Sequence, residues 1–313
     1  MAPLSETKNF SILRPYIPYR MNIIILSRNP MLYSTQSITQ AARKRGHSVR
    51  ILDHMQCDLI IDGRHSKVMY NGQHIKNVDA IIPRIGDSAT SYGSAVVRHF
   101  ESMGTFTTLR AESLLRSRDK VTSLQLLSAS GVAVPTSALS NNPATFGSLV
   151  DYVGPPPVII KLVRGTHGMG VIKSDNRSNA ESILEAFYKT KDRALIQKFV
   201  PEAKGADVRV FIVNGEIVGV MKRQAKEGEF RSNLHRGGSS KVISLTDEEK
   251  RTAKSAARIM GLKIAGVDML QAASGPQILE VNASPGLEGI ETTTKVDIAG
   301  KIITFVEQNY RSI

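Results

Sequence analysis

The sequence predicts an α/β protein that contains several sheets. From Met21 onward, buried-strand patterns alternate with helical patterns, which favours a parallel sheet. Further along, two pairs of strand patterns flank tight-turn residues, which is typical of antiparallel hairpins. The chain has 313 residues, of which 41% are hydrophobic. This is an ordinary composition for a globular protein, and the length suits two or three domains of roughly 100–150 residues each.

The composition excludes several classes of protein. Cys57 is the only cysteine, so neither an internal disulfide framework nor a cysteine zinc site can form, and we expect a reducing cytoplasm. The longest apolar runs resemble Ile23–Leu26, whereas a membrane span needs about 20 residues, so we expect no membrane association. The net charge of +13 is spread through the chain without tryptophan or interleaved aromatic residues. We therefore expect anionic small molecules or acidic peptides as partners, with no requirement for direct nucleic-acid binding.

The pattern changes sharply at Met21. Residues 1–20 contain three prolines and no periodic apolar pattern, so we expect a disordered extension or an upstream start codon. The predicted elements that follow are a strand at Asn22–Ser27, a helix at Ser37–Arg45 that ends at Gly46, and strands at Ser48–Asp53 and Ala80–Ile85. A strand, a helix and a strand in succession predict a right-handed crossover. No GxGxxG follows the first strand, which argues against dinucleotide binding.

The remaining elements follow from capping and turn residues. Gly131 and Gly261 are typical helix ends, Asn214-Gly215 is a tight-turn pair, and Thr246 opens a capping box. The predicted elements are a helix from Ser117 to Gly131, strands at Val158–Val163 and Ala194–Val200 around a helix at Ala180–Lys189, a hairpin of Asp207–Asn214 with Glu216–Met221, a helix from Thr246 to about Met260, a hairpin of Ala265–Leu270 with Gln277–Val281, and a helix at Ile298–Asn309.

The first chemical motif is Lys161, in the middle of an apolar strand that leads into the loop Gly165-Thr166-His167-Gly168-Met169-Gly170. A buried lysine is costly without an anionic or hydrogen-bonding partner. Glycines allow backbone N–H groups to approach phosphate oxygens closely. Gly165 and Gly170 have the spacing of a P-loop, but Val171-Ile172 replaces the required Lys-Ser/Thr. The motif predicts either a phosphate cradle or a plain glycine-rich turn.

The second motif is the carboxy-terminal hairpin. Period-2 geometry places Glu280 and Asn282 on one face of a strand, and Asp268 and Glu280 are equidistant from Ser274. A register that is symmetric about Ser274 makes the two carboxylates cross-strand partners about 5 Å apart. Without a local cation in sequence, such a pair predicts a divalent cation such as Mg²⁺. The alternative is a different register with both carboxylates solvated.

The third motif is the polar segment from Glu229 to Gly238, which contains Arg231, Asn233, His235 and Arg236. Arginine can bind a phosphoryl group or a carboxylate through two parallel hydrogen bonds. A single loop histidine such as His235 is more often a bystander than a base. The segment therefore predicts an anion contact carried by arginine.

In this order, the motifs resemble the ATP-grasp superfamily. Within it, the segments SRDK, KLVRGTHGMGV, AKEGEFRSNLHRGG, AGVDML and ILEVNASPGLEGIE resemble the RimK family, whose members add glutamate to the C-terminus of a small-subunit ribosomal protein. The resemblance covers about residues 21–310. It implies a Rossmann-like pre-ATP-grasp domain over 21–115 and two ATP-grasp subdomains over 116–200 and 201–313.

The resemblance also implies which residues bind ATP and metal. The implied nucleotide contacts are Lys120, Lys161, Gly165, Gly168, Gly170, Gln197, Lys198, Phe199, Asp207, Arg231, Ser232 and Asn233. Asp268, Glu280 and Asn282 are the implied ligands of two Mg²⁺ ions, with Mn²⁺ as a substitute. The family often has an acidic residue where this chain has Lys198, so we expect a backbone contact to adenine there.

The expected reaction is an ATP-dependent ligation of a carboxylate and an amine through an acyl phosphate. Arg231, Arg209 and Arg223 are our candidates for stabilising that intermediate. The expected substrates are glutamate and the acidic C-terminal peptide of a ribosomal protein, and we expect a homo-oligomer. Two alternatives remain open: a ligase that acts on a small metabolite or makes free oligoglutamate, and a nucleotide-regulated protein that docks on the ribosome.

Overall fold

The computed structural model describes residues 20–163, 170–232 and 237–311. The amino-terminal extension predicted over residues 1–20 therefore lies almost wholly outside the described residues. The described part contains four sheets, three of which position the candidate site.

A parallel sheet forms the amino-terminal part of the chain. Its strand order is β2-β1-β6-β7, and β3, β4 and β5 form a separate small antiparallel sheet. The elements of this part are β1 (Asn22–Leu26), α1 (Tyr33–Lys44), β2 (Ser48–Leu52), β3 (Cys57–Ile60), β4 (Lys67–Tyr70), β5 (Gln73–His74), β6 (Ala80–Pro83), α2 (Thr90–Ser102) and β7 (Phe106–Thr107).

The sequence pattern of this sheet explains its position. Ile23–Leu26 are at most 1% exposed, so β1 is buried on both faces, as its unbroken apolar run predicts. Helix α1 begins at Tyr33, four positions before the predicted start at Ser37, and Gly46 follows it with a φ of 86°. The third predicted strand is shorter than expected and ends at Pro83, which leaves Arg84 and Ile85 in the loop that follows β6.

A second, antiparallel sheet with the strand order β10-β9-β11-β8 follows in the chain. Helices α5 and α6 cover it around a separate apolar core. The elements of this part are α3 (Ala111–Arg118), α4 (Lys120–Ala129), β8 (Ser137–Ala138), α5 (Phe146–Val153), β9 (Val158–Leu162), β10 (Val171–Ser174), α6 (Arg177–Lys189) and β11 (Ala194–Lys198).

The single helix predicted from Ser117 to Gly131 is wrong at its start. Ser117 and Arg118 end α3, and the chain leaves helical geometry at Asp119, whose φ and ψ are −89° and 107°. The Asp119 carboxylate then accepts a hydrogen bond of 2.9 Å from the Thr122 N–H and caps α4. The helix therefore begins at Lys120, and this break orients the Arg118 and Lys120 side chains.

The third sheet is antiparallel, with the strand order β14-β13-β12-β15-β16. Both predicted hairpins are present, and Asn214 and Gly215 have left-handed φ values of 51° and 81°, as a tight primed turn requires. The elements of this part are β12 (Ala206–Val213), β13 (Glu216–Gln224), β14 (Ser239–Val242), α7 (Asp247–Ile259), β15 (Ile264–Ala272), β16 (Gly275–Asn282), α8 (Glu288–Thr294) and α9 (Ile298–Asn309).

A β-bulge sets the register of the last hairpin. From Ala272↔Gly275 outward to Met269↔Ile278, the strands pair about a centre between Ala273 and Ser274, which would place Asp268 opposite Leu279. The register then shifts between Met269 and Asp268, so that Asp268 pairs with Glu280. The predicted cross-strand pair is present, but the bulge produces it and symmetry about Ser274 does not.

The parallel sheet, the sheet that contains β9 and β11, and the β12–β16 sheet do not share apolar cores equally. Two apolar clusters each combine residues of the parallel sheet with residues of the β12–β16 sheet, for example Ile24 with Val267 and Ile23 with Phe211. The third cluster lies wholly within the layer that contains β9 and β11. That layer is consequently attached to the rest through fewer apolar contacts. Within the described ranges, no helix has the length and apolar character needed to cross a bilayer.

The capping box at the start of α7 gives a stability prediction. Thr246 Oγ1 accepts from the Glu249 N–H at 3.2 Å, and the Glu249 carboxylate accepts from the Thr246 N–H at 2.7 Å. Thr246→Ala should lower the free energy of unfolding by about 1 kcal/mol, because one part-buried backbone donor loses its acceptor. Urea denaturation measures this change, and Thr246→Ser, which keeps the hydroxyl, is the matched control. Equal losses in both variants would contradict the capping role.

Candidate active site

A network of two carboxylates and two guanidiniums lies on one face of the β12–β16 sheet. The strand register places Asp207 opposite Arg223 and Arg209 opposite Asp268. Arg223 donates to both oxygens of Asp207 at 2.6 and 2.5 Å, and Arg209 donates to both oxygens of Asp268 at 2.7 and 2.6 Å. A further contact of 2.9 Å joins Arg223 Nη2 to Asp268 Oδ2 and links the two pairs.

This network corrects one premise of the sequence analysis. Asp268 has no cation near it in sequence, but the register brings Arg209 and Arg223 to it from two other strands. Asp268 is only 2% exposed, and its burial favours the neutral acid. The two guanidiniums outweigh burial and lower the pKa of Asp268 to about 2. Burial works against the charge of Arg223, but Asp268 and Asp207 together raise its pKa.

Asp268, Glu280 and Asn282 present oxygen donors suited to a hard divalent cation. Glu280 is exposed opposite Asp268, and the Asn282 amide N–H donates to Glu280 Oε1 at 2.8 Å, which leaves the amide oxygen available. Among the described residues, Asp268 Oδ1 accepts only the Arg209 Nε–H, so it retains a lone pair toward them. The donor set therefore fits Mg²⁺. No cluster of three His, Cys, Asp or Glu side chains occurs among the described residues, so an amide would have to complete the set.

A hydrogen-bonded chain across three strands holds Lys161. The Lys161 ammonium donates to Gln197 Oε1 at 2.6 Å, and Gln197 Nε2 donates to Ser137 Oγ at 2.8 Å. Lys161 lies opposite Leu195, so Gln197, two positions further along β11, is its diagonal neighbour on the same face. Gln197 is 2% exposed, and both ends of its amide are used. In this arrangement, Gln197 orients Lys161.

Three charges converge where the two antiparallel sheets approach each other. Burial lowers the pKa of Lys161 to about 8, with the Glu280 carboxylate opposing the shift and Lys120 adding to it. Burial also lowers the pKa of Lys120, and Glu280 again opposes the shift. Lys120 Nζ donates to the Val163 carbonyl at 3.3 Å, which ties the start of α4 to the end of β9. The charge of Glu280 thus acts on both lysines, and the site combines side chains of both sheets.

The hinge that follows β11 is built around backbone contacts. The Lys198 N–H donates to the Thr136 carbonyl at 2.8 Å, so an adenine contact at this residue would have to use its carbonyl. The Lys198 side chain is exposed. Lys173 Nζ lies 5.4 Å from the centroid of the Phe199 ring, in a cation–π contact that fixes the ring beside β10. Phe199 is thereby oriented at the junction of the two sheets.

Arg231 is held by an acid that the sequence analysis did not single out. Its Nε and Nη2 donate to the two oxygens of Glu229 at 3.0 and 2.7 Å. These bonds lower the pKa of Glu229 to about 2. Ser232, next in the chain, is 9% exposed. The spacing of Glu229 and Arg231 by two residues is the signal that could have predicted this pair, since residues two apart can share a face of an irregular or extended segment.

Gly170 is the described end of the glycine loop, and its geometry requires glycine. Its φ is 69°, and a Cβ there would lie 2.5 Å from Leu162 Cδ1. Gly165, Gly168, Asn233 and His235, which the sequence analysis singled out, lie outside the described residues.

The ionic network predicts how stability depends on pH. The pKa of Asp268 in the folded protein lies below its unfolded value of about 4, so its ionised form stabilises the fold above that pH. This contribution, on the order of 2 kcal/mol, is lost as the pH falls through about 2. Asp268→Asn should therefore lower the free energy of unfolding at pH 5, with a deficit that shrinks toward pH 2.

Urea titrations at several pH values measure this deficit. Asp58→Asn removes the same charge from an exposed position on β3 and is the matched control, for which we expect almost no change. A deficit for Asp268→Asn that is the same at every pH would contradict the role assigned to the ionic network.

Comparison with protein-family models gives two matches. Residues 21–114 match the RimK PreATP-grasp domain, and residues 117–306 match the RimK-like ATP-grasp domain. A probable alpha-L-glutamate ligase of Hydrogenovibrio crunogenus is 50% identical over 289 residues, which cover 92% of this chain and 96% of the relative. A protein of the same description from Vibrio vulnificus strain YJ016 gives the same identity and coverage.

Solved structures show the same fold at lower sequence identity. The ATP-grasp ligase PsnB complexed with its minimal precursor has a TM-score of 0.72 and 23% identity, covering 93% of this chain and 99% of PsnB. PsnB was also solved with a phosphomimetic precursor variant, Mg and ADP, with a TM-score of 0.70 and 23% identity over 92% of this chain and 98% of that one. A RimK domain protein of Sphaerobacter thermophilus has a TM-score of 0.69 and 19% identity, covering 91% and 99% of the two chains.

Proposed function

Because this chain belongs to the RimK family of ATP-grasp ligases, we propose that it uses ATP to join glutamate to the C-terminus of a small-subunit ribosomal protein. The observation that carries the proposal is the convergence of Lys120, Lys161 and Glu280 beside the Arg209–Asp268 pair. Lys161 on β9 and Lys120 at the start of α4, near the Glu280 carboxylate on β16, form a site suited to a metal-bound triphosphate.

In the proposed complex, the triphosphate lies between the two antiparallel sheets. Lys120 and Lys161 contact phosphate oxygens, and the loop ending at Gly170 supplies backbone N–H groups. The hinge from Gln197 to Phe199 and Asp207 hold adenine and ribose, with the Lys198 carbonyl as the adenine acceptor. The loop from Arg231 to Asn233 lies at the phosphate end. As part of the same proposal, the chain divides into domains at about residues 115 and 200.

Asp268, Glu280 and Asn282 would hold Mg²⁺, in two ions, with Mn²⁺ as a substitute. Bound there, the cation would neutralise phosphate oxygens and align them. Within this chain, Arg209 and Arg223 keep Asp268 ionised and fix its orientation, so their direct task is to position a ligand. A direct role for both arginines at the intermediate is a further part of the proposal.

The proposed reaction proceeds in two displacements. An acceptor carboxylate oxygen attacks the γ-phosphorus of ATP, the bond to the bridging oxygen breaks, and ADP leaves with both electrons. The amine of glutamate then attacks the acyl-phosphate carbonyl, loses a proton and expels phosphate, which leaves an amide. Arg231 contributes positive charge at the reacting phosphoryl group, and the cleft supplies proximity. This cycle needs no covalent nucleophile on the protein.

A second candidate is a ligase that acts on a small molecule or makes free oligoglutamate. One solved structure with the same fold is described as D-cycloserine synthetase DcsG, with a TM-score of 0.68 and 16% identity over 93% of this chain and 99% of that one, so the fold also supports small acceptors. A cytoplasmic location and a homo-oligomeric state stay predictions.

A nucleotide-regulated protein without ligase activity is separated from both candidates by the following experiment.

The test is ADP release with each of the twenty amino acids, in the presence and absence of small-subunit ribosomal protein, followed by the mass of the product. We expect glutamate to stimulate release and the ribosomal protein to gain the mass of added glutamate. Glu280→Gln should reduce the glutamate-dependent rate by at least about a hundredfold, because the amide cannot neutralise a cation. The exposed Glu288→Gln is the matched control.

ADP release without any amino-acid dependence would favour the regulatory protein. A product of free oligoglutamate or a modified small molecule would favour the second candidate. Unchanged turnover in Glu280→Gln, with a normal circular dichroism spectrum, would refute the metal-site assignment.

The pKa of Lys161 predicts how nucleotide affinity depends on pH. Because burial places this pKa at about 8, the ammonium loses its proton above that pH, and the attraction for phosphate is lost. The affinity for ADP, measured by calorimetry, should fall by up to roughly tenfold per pH unit above about pH 8. Lys161→Arg should remove most of this dependence, because arginine stays charged. A constant affinity up to about pH 9.5 in the unaltered protein would contradict a contact between Lys161 and phosphate.

A further inference from the structure

The parallel sheet has a topological switch point between β1 and β6. The chain leaves β1 toward β2 on one side, and β6 lies on the other side of β1. Loops that follow neighbouring strands at such a point diverge and leave a crevice, which is where open α/β sheets bind ligands. Arg28 lies in the loop that follows β1, and Arg84 is the first residue after β6.

A third guanidinium reaches the same crevice from the break between α3 and α4. Arg118 Nη2 donates to the Ile85 carbonyl at 2.6 Å, and Arg84 Nη2 donates to the Pro285 carbonyl at 2.6 Å. Arg28 Nη2 donates to Ser88 Oγ at 3.0 Å. All three partners are neutral.

No carboxylate pairs directly with these arginines. Within the described ranges, none of these three arginines forms an ion pair with a carboxylate. The arginines that do are Arg45, Arg110, Arg116, Arg177, Arg209, Arg223 and Arg231. Burial and the nearby Arg118 lower the pKa of Arg84 to about 10. Asp87 and Glu280 attract Arg118 without forming an ion pair with it. Partly buried like charges without a directly paired counterion are unfavourable, and a bound anion would supply the opposite charge.

Two buried polar atoms at this crevice also lack partners among the described residues. They are Arg118 Nε, and Ser284 Oγ beside Pro285. An unsatisfied buried donor costs free energy that a bound oxygen acceptor would recover. The unpaired hydroxyl and guanidinium N–H thus indicate an oxygen-rich anion in addition to the charge.

The crevice is adjacent to the candidate metal site. Pro285 follows Asn282 by three residues, and the charge of Glu280 acts on Arg118. Lys120, two residues beyond Arg118, faces the same Glu280 carboxylate. A substrate held in the crevice would therefore lie close to where the phosphoryl group reacts.

We propose that Arg28, Arg84 and Arg118 form a carboxylate-binding subsite that holds an unreactive carboxylate of an acidic substrate during ligation. This inference rests on the proposed ligase function and adds where the acidic substrate is held. The carboxylate comes from free glutamate or from the acidic tail of the acceptor. Guanidinium groups suit either source, because their paired N–H groups match the two carboxylate oxygens.

The experiment compares the unaltered protein with Arg28→Gln and Arg84→Gln. The matched control is Arg43→Gln, which removes one exposed charge in the last turn of α1. Calorimetry with Mg²⁺ and ADP present measures the binding of free glutamate and of a synthetic acidic peptide that ends in glutamate. The affinity for ADP alone and the thermal midpoint are recorded for every variant. Arg28 is exposed, so Arg28→Gln keeps the test decisive if Arg84→Gln does not fold.

We expect each crevice variant to weaken one acidic ligand by about tenfold or more, since a charge-assisted contact is lost, while the affinity for ADP stays unchanged. Weaker glutamate binding identifies the amino-acid substrate as the source, and weaker peptide binding identifies the acceptor. Unchanged binding of both ligands, an equal loss of affinity for ADP, or failure of the unaltered protein to bind either ligand would overturn the subsite. An unaltered protein that binds an acidic ligand but shows no glutamate-dependent ADP release would instead refute the proposed function alone.

Discussion

The candidate site depends on one buried carboxylate that two guanidiniums keep ionised. Asp268 lies on a central strand with almost no exposure, where a single aspartate would be neutral. Arg209 and Arg223 reverse this preference, and Asp207 in turn satisfies Arg223. Because each partner comes from a different strand position, the charge on Asp268 requires the whole register of β12, β13 and β15. The strand register of this sheet therefore determines both how the sheet folds and which charge the site carries.

The unequal sharing of the cores gives the site its form. The parallel sheet and the β12–β16 sheet share two apolar clusters, whereas the β9 layer has its own core. Lys161 lies on that separate layer, and Asp268 and Glu280 lie on the β12–β16 sheet. The Glu280 carboxylate attracts Lys161 across the junction, where Lys120 and the hinge after β11 connect the two parts. A nucleotide between the layers would therefore contact both parts at once.

The arginines that contribute to the net charge of +13 fall into two groups. Some arginines are neutralised within the protein, as Arg209, Arg223 and Arg231 are. Others, such as Arg84 and Arg118, have only neutral hydrogen-bond partners among the described residues, although Asp87 and Glu280 also attract Arg118. A cation paired internally orients the site, whereas a cation without a counterion has charge available for a substrate. The composition alone does not distinguish these two groups, because the difference lies in which acids the fold brings near.

Much of the fold could be predicted from local patterns. The buried run of β1, the tight turn at Asn214 and the capping box at Thr246 each need only neighbouring residues, so the sequence by itself determined them. The sequence also identified Lys161, Asp268 and Glu280 as residues whose placement needs a chemical explanation. The break at Asp119 was missed, since a capping aspartate inside a long helical pattern resembles an ordinary first-turn residue.

Only the tertiary structure decided which charges meet. The bulge beside Met269 places Asp268 opposite Glu280, the strand order brings Arg209 and Arg223 to Asp268, and the switch point brings Arg28 near Arg84. These contacts join residues up to 59 positions apart, and strand register and sheet order come from packing the whole chain. The sequence determined which residues carry charge, and the fold determined which of those charges neutralise one another and which remain available to a ligand.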